Sequence, residues 1–166
     1  MPSRKELILT RLADEGRKTA AYFRALTPAE LAQTVYTAGP GWQAQDLITH
    51  IASAERNIAR LVADILAGGP GAPEGFDIDA FNAAETAARP APPMEDRVRD
   101  FEAARAATLA LVASAAEADL DRQGRHPFLG ITSVDAMLKL LYRHTMLHER
   151  DARKAIETGA PLAGAV

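Results

Sequence analysis

The chain has 166 residues, 19 basic against 22 acidic side chains for a formal net charge of −3, and no cysteine. That length fits a single domain over residues 1–166, large enough to bury a core. Mild acidity leaves no electrostatic footprint for nucleic acid, and the lack of cysteine excludes disulfides, thiolate metal ligands and a cysteine nucleophile.

Ser3 to Leu26 reads as the first helix. Ser3 and Glu6 form a capping box, and Leu9, Leu12, Gly16, Ala20 and Phe23 share one stripe. The N-terminus, Met1 to Glu6, enters a charged amphipathic stretch and has no signal-peptide core, and no apolar run approaches the ~20 residues of a membrane span. A cytoplasmic protein without a membrane partner is expected. Thr27-Pro28-Ala29-Glu30 opens a short second helix that ends before Gly39-Pro40-Gly41.

Trp42 to Ala67 reads as the second long helix. Leu47, Ile51, Ala54, Ile58, Leu61 and Ile65 mark its buried stripe, and His50 lies on that side. A long connection follows from Gly68 to about Pro93, with a short helix at residues 79–88 and the run Pro90-Ala91-Pro92-Pro93. The third long helix is expected from Met94 to Ala118, with Val98, Phe101, Thr108 and Val112 inward. Residues 124–130 read as a turn-rich loop. Thr132 with Asp135 then caps the last helix, which runs to about Thr158 with Val134, Met137, Leu141, His144, His148, Ala152 and Ala155 on its stripe. The expected architecture is all-α, a four-helix bundle with a long crossover connection between the second and third long helices.

His144 and His148 are four residues apart, about one helical turn, so both imidazoles leave one face and can share an ion. His50, on the core stripe of another helix, makes a third nitrogen. Three protein ligands leave a coordination position open, which is the catalytic pattern. The alternative is three core histidines, each satisfied by a hydrogen bond. Three neutral imidazoles buried together each bring a donor and an acceptor to satisfy, and a divalent cation takes the acceptors. Thr145 stands where the zinc-protease signature has its glutamate, which argues against peptide hydrolysis by that route.

Further candidates surround the triad. Asp46, one turn before His50, can hold a ring N–H or serve as favourable charge at a helix N-terminus. Glu55 and Glu149 sit beside their stripes and read as solvated. Arg143 can bind a substrate carboxylate at the mouth of the site or form a surface salt bridge. His126 can act as an acid or base over the site, orient the substrate, or serve as a turn residue before Pro127.

Trp42-x-x-x-Asp46-Leu47-x-x-His50 followed by His144-x-x-x-His148 resembles the DinB/YfiT-like superfamily of metal-binding four-helix bundles. The stretch from Gly75 to Asn82 and the 124–130 loop look closest to its mycothiol-dependent maleylpyruvate isomerase-like branch. The resemblance covers about Tyr22 to Glu157. It implies a divalent metal on His50, His144 and His148 (zinc or nickel, with iron or manganese also used) and a homodimer. It also implies a transferase or isomerase that uses an external low-molecular-weight thiol on a small electrophilic substrate. A metal in an open site can lower the pKa of such a thiol, or of water to give a hydrolase. A metal-stabilised binding module without turnover is the non-catalytic alternative.

Overall fold

The computed structural model describes residues 1–87 and 92–163. Ala88, Pro90 and Ala91, which the sequence reading placed at the end of a short helix and in a proline run, lie outside the described residues. The helices are α1 (Arg4–Ala25), α2 (Pro28–Leu31), α3 (Ala44–Leu66), α4 (Ile78–Ala87), α5 (Met94–Ser114) and α6 (Val134–Thr158). A 3-10 turn, Glu117–Asp121, and two short strands, β1 (Gln123–His126) and β2 (Gly130–Ser133), lie between α5 and α6.

Four long helices form the bundle, and their packing partners fix its order. α1 packs on α5 and α6, and α3 packs on the same two, so α1 and α3 lie across a diagonal. Helices consecutive among the long four are therefore not always neighbours: α3 and α5, joined by the crossover, pack together, while the segment 26–43 carries the chain across the diagonal from α1 to α3. The core has two apolar clusters. Phe23, Trp42, Leu47, Ile51 and Phe101 belong to one, and Leu12, Ile58, Val112, Met137 and Leu141 to the other.

The helix starts follow local chemistry. At α1 the Ser3 hydroxyl accepts from Glu6 N–H while the Glu6 carboxylate accepts from Ser3 N–H at 2.7 Å, and Thr27 with Glu30 repeats this at α2. The chain from Thr34 to Gln43 then turns back on itself, with Val35 N–H donating to Trp42 O at 2.8 Å. This places Tyr36 and Trp42 in the core at the foot of α3.

Three expected boundaries move. α5 ends at Ser114 and not near Ala118, because Lys5 Nζ takes the carbonyls of Ala113 and Ala115 and the following 3-10 turn buries Leu120 completely. α6 is capped by Ser133, whose hydroxyl accepts from Ala136 N–H at 3.2 Å; Asp135 pairs instead with Lys139 at 2.8 Å. The expected loop at 124–130 is an antiparallel hairpin pairing Arg125 with Ile131 and His126 with Gly130.

The hairpin also anchors the crossover. Arg125 N–H donates to Pro70 O and Ala72 N–H to Arg125 O, both at 2.8 Å. Gly71 sits between them at φ +85°, where a Cβ would meet Arg125 O at 2.5 Å, so this contact needs glycine. From there α4 lies against α3, tied by Ser53 Oγ donating to Glu85 at 3.1 Å. The crossover, the hairpin and one face of the α3/α6 pair thereby line a pocket beside the histidines, partly open to solvent.

Candidate metal centre

α3 and α6 bring the three expected histidines together. His50 Nε2 lies 3.1 Å from His144 Nε2, and His148 Nε2 lies 2.9 Å from the same atom. One ligand nitrogen from each ring falls within 4.8 Å of the others. His50 and His148 are buried, while His144 is half-buried and borders the pocket. The four-residue step on α6 sets the rings of His144 and His148 at 89° with centroids 4.4 Å apart.

The neighbours of the triad orient it. Tyr36 Oη donates to Asp151 Oδ2 at 2.8 Å and lies 2.9 Å from His148 Nδ1. The phenol has one proton and gives it to the carboxylate, so it accepts from His148 Nδ1–H. The Nε2 lone pair of His148 is thereby directed at the other two rings. Trp42 fixes His50 differently, stacking on it with centroids 4.4 Å apart and 34° between planes.

Burial keeps the imidazoles neutral. His50 and His148 are held well below the ordinary histidine pKa of 6.5, first by loss of solvent and then by neighbouring rings. His144 is pushed down to about 4, by burial first and His126 second. The Tyr36 phenol is raised well above its ordinary value by burial and by its hydrogen bond to Asp151.

This donor set fits a divalent cation. A single proton on His144 Nε2 can serve only one of its two neighbours, so at least one buried lone pair faces another without a donor. A cation at the centre would satisfy all three. Tetrahedral zinc with Zn–N near 2.0–2.1 Å sets its nitrogens roughly 3.3 Å apart, close to the separations found here.

Asp46 is placed at the start of α3. Its carboxylate accepts from Gln43 N–H at 3.0 Å and faces Arg97 Nη1 at 3.6 Å. Those contacts match the helix-terminus arrangement. The expectation that Glu55 and Glu149 are solvated is corrected. Glu55 is 1% exposed and pairs with Arg105 at 2.9 Å, and Glu149 accepts from the buried Thr19 hydroxyl at 2.7 Å. The sequence gives each glutamate beside a stripe; the partner that holds it inward is remote in the chain.

Tyr36 and Asp151 were missed by the sequence reading. Asp151 is three residues from His148, so helical spacing alone could have placed it on that face. Tyr36 had no such signal, since it lies in an aperiodic segment. Tyr36→Phe is expected to keep the fold and weaken metal affinity by about 10- to 100-fold, because His148 loses the partner that fixes its tautomer. Competition against a chromophoric chelator measures this, and an unchanged affinity would refute the role assigned to Tyr36.

The pocket beside the triad has a volume of about 590 Å³. Ala54, Ile58, Leu61, Phe76, Phe81 and Leu147 give it apolar walls, and His50 and His144 form part of its lining. Arg60 and Arg143 border it, both exposed, and neither has an ion pair among the described residues. His126 also lines it and is buried. Its Nδ1 accepts from Phe128 N–H at 3.1 Å and Leu129 N–H at 3.2 Å, which stabilises the hairpin turn. Among the described residues no helix is long and apolar enough to cross a membrane.

Solved structures with the same fold include YfiT from Bacillus subtilis, described as a probable metal-dependent hydrolase with an unusual four-helix bundle topology. It is 18% identical with a TM-score of 0.74, over 94% of this chain and 88% of that one. The mycothiol-dependent maleylpyruvate isomerase is 15% identical with a TM-score of 0.70; 92% of this chain matches 63% of its length. A DinB-like protein, YjoA from Bacillus subtilis, is 16% identical with a TM-score of 0.59, over 96% of both chains. At these identities the likeness is one of fold. Among curated proteins none matches. The family model of the DinB superfamily matches residues 6–152. With that match over most of its length, and a histidine triad between two helices of a four-helix bundle, the chain belongs to the DinB superfamily.

Proposed function

We propose that this protein is a metal-dependent enzyme that transfers an external low-molecular-weight thiol to a small electrophile, or isomerises the electrophile with the thiol's help. The observation that carries the reading is the triad itself, three neutral Nε2 donors meeting at the wall of an apolar cavity. A divalent ion held by His50, His144 and His148, zinc or nickel by preference, would supply Lewis acidity and lower the pKa of a thiol at its open position. The chain has no cysteine, so the sulfur must come from outside. Tyr36 and Asp151 hold His148 in the tautomer that binds, and Trp42 holds the ring of His50 in place. The apolar walls exclude water from the electrophile, and Arg143 at the border suits a carboxylate on the substrate or on the thiol. In transfer, the sulfur gives up its proton and bonds to carbon, either as an alkene π bond opens and the adjacent carbon takes up a proton, or as a leaving group departs with its electron pair. The described fold relative named for mycothiol supports the thiol.

A second reading replaces the thiol by water and makes the protein a hydrolase. The similarity to YfiT, over most of both chains, favours it. Isothermal titration of the metal-loaded protein with mycothiol, bacillithiol and glutathione separates the two. Saturable binding of one of them, lost on removal of the metal, is expected. If no thiol binds while esters or lactones are cleaved without thiol, the hydrolase reading takes its place.

A further inference from the structure

His126 has one nitrogen committed and one open. Two backbone N–H groups of the hairpin turn, from Phe128 and Leu129, point at Nδ1. Nδ1 must therefore be the acceptor of a neutral ring, and the proton lies on Nε2. Nε2 sits across the ring from the turn. It is buried, in a residue 3% exposed, and has no hydrogen-bond partner among the described residues. A buried donor left unmade is costly. The same ring borders the 590 Å³ cavity, alongside His50 and His144.

This arrangement limits what His126 can do. A general base needs a free lone pair, and the only one on the ring is occupied by two amides. Acting as an acid from Nε2 would leave an imidazolate. What remains is a fixed, uncharged donor next to the metal centre.

We propose that the cavity binds a largely apolar small molecule bearing an oxygen acceptor, a carbonyl or carboxylate, and that His126 Nε2–H donates to that oxygen. The rest of the lining agrees. Its walls are mainly aliphatic and aromatic, and the two bordering arginines offer donors and positive charge without ion-pair partners among the described residues. The size matches an ordinary small-molecule site. This inference rests on the cavity being the substrate site of the proposed enzyme, and it assigns the substrate's class and the residue that recognises it.

Two substitutions separate recognition from turn stability. His126→Asn keeps an oxygen near the Nδ1 position for the turn amides and removes the donor. His126→Gln puts an amide N–H near the Nε2 position and gives up the turn acceptor. The probes are acetophenone and α-methylstyrene, which differ by oxygen against methylene at the same place. Their binding to metal-loaded protein is followed by ligand-observed NMR titration, with the melting temperature and metal content of each variant measured alongside.

Wild type is expected to prefer the ketone by about tenfold or more, the scale of satisfying one buried donor. His126→Asn should lose the preference at near-normal melting temperature, and His126→Gln should keep it at a lowered one. A wild type without preference, a preference that survives in His126→Asn, or failure of both probes to bind would overturn the proposal. Metal content is read independently, so a protein that binds no metal would sink the thiol-transfer reading without altering the ratio of the two probes.

Discussion

Arg105→Met, with Glu55 left in place, is expected to lower the unfolding free energy by about 3–5 kcal/mol, because it strands a buried carboxylate. Arg105 and Glu55 are 5% and 1% exposed at their side chains. The guanidinium grips both carboxylate oxygens, at 2.9 and 3.0 Å. Its remaining donors reach Leu12 O at 2.6 Å and the Thr145 hydroxyl at 3.1 Å. All four long helices meet at this one side chain. Gly16 makes room for it, since a Cβ there would stand 3.1 Å from Arg105 Cγ. The pair sits where the two apolar clusters join, between Phe101 and Val112 along α5 and between Ile51 and Ile58 along α3. A domain of this size has about 5–15 kcal/mol in total, so the single variant approaches the unfolding threshold. Arg105→Met combined with Glu55→Leu should recover much of the loss, because a satisfied ion pair and a well-packed apolar pair differ little in net worth. Urea denaturation of the three proteins checks this. A loss below about 1 kcal/mol in the single variant would put the pair in the class of exposed salt bridges and refute the argument.

The same pair shows what a sequence can and cannot disclose. Elements that depend on near neighbours were legible. The two capping boxes, the glycine stops and the 3.6-residue apolar periods predict α1, α3 and α6 to within a few residues and the start of α2, which ends at Leu31, well short of the Gly39 stop. The triad was legible for the same reason, since two of its members are one turn apart and the third marks a buried stripe. Features that depend on remote partners were not. Glu55 looks solvated until Arg105, fifty residues away, is packed beside it. Tyr36 becomes a support for His148 only because the chain before α3 folds back to the end of α6. The hairpin at 123–133 lacks a two-residue turn signal; it closes through the Nδ1 of His126, a bond invisible to turn statistics. His126 was singled out from the sequence as a turn residue, an acid or base, or a group that orients the substrate. The structure places its ring in the turn and at the cavity together, a combination that none of these readings contains.

His144→Ala is expected to weaken metal binding by on the order of a hundredfold to a thousandfold. One nitrogen ligand accounts for about 3–4 kcal/mol if the binding free energy of a tight zinc site is shared among its ligands. His144 Nε2 lies within 3.1 Å of both other ligand nitrogens, so its loss also opens the triangle. Elemental analysis of protein purified without a polyhistidine tag should give about one divalent ion per chain in wild type and little in the variant. Equal metal in both would refute the assignment. The variant should also respond differently to acid when both proteins are stripped of metal. His144 titrates near 6.5 in an unfolded chain and is pushed down to about 4 in the native one. Between those values the unfolded state takes up a proton that the native state refuses. The stability His144 allows is therefore complete above pH 6.5 and is lost as the pH falls to about 4. Stripped wild type should lose more stability than His144→Ala between pH 7 and pH 5, measured as the shift in urea midpoint. Equal shifts would mean that the ring is solvated in the metal-free state, and the neutral triad on which the metal assignment rests would fall with it.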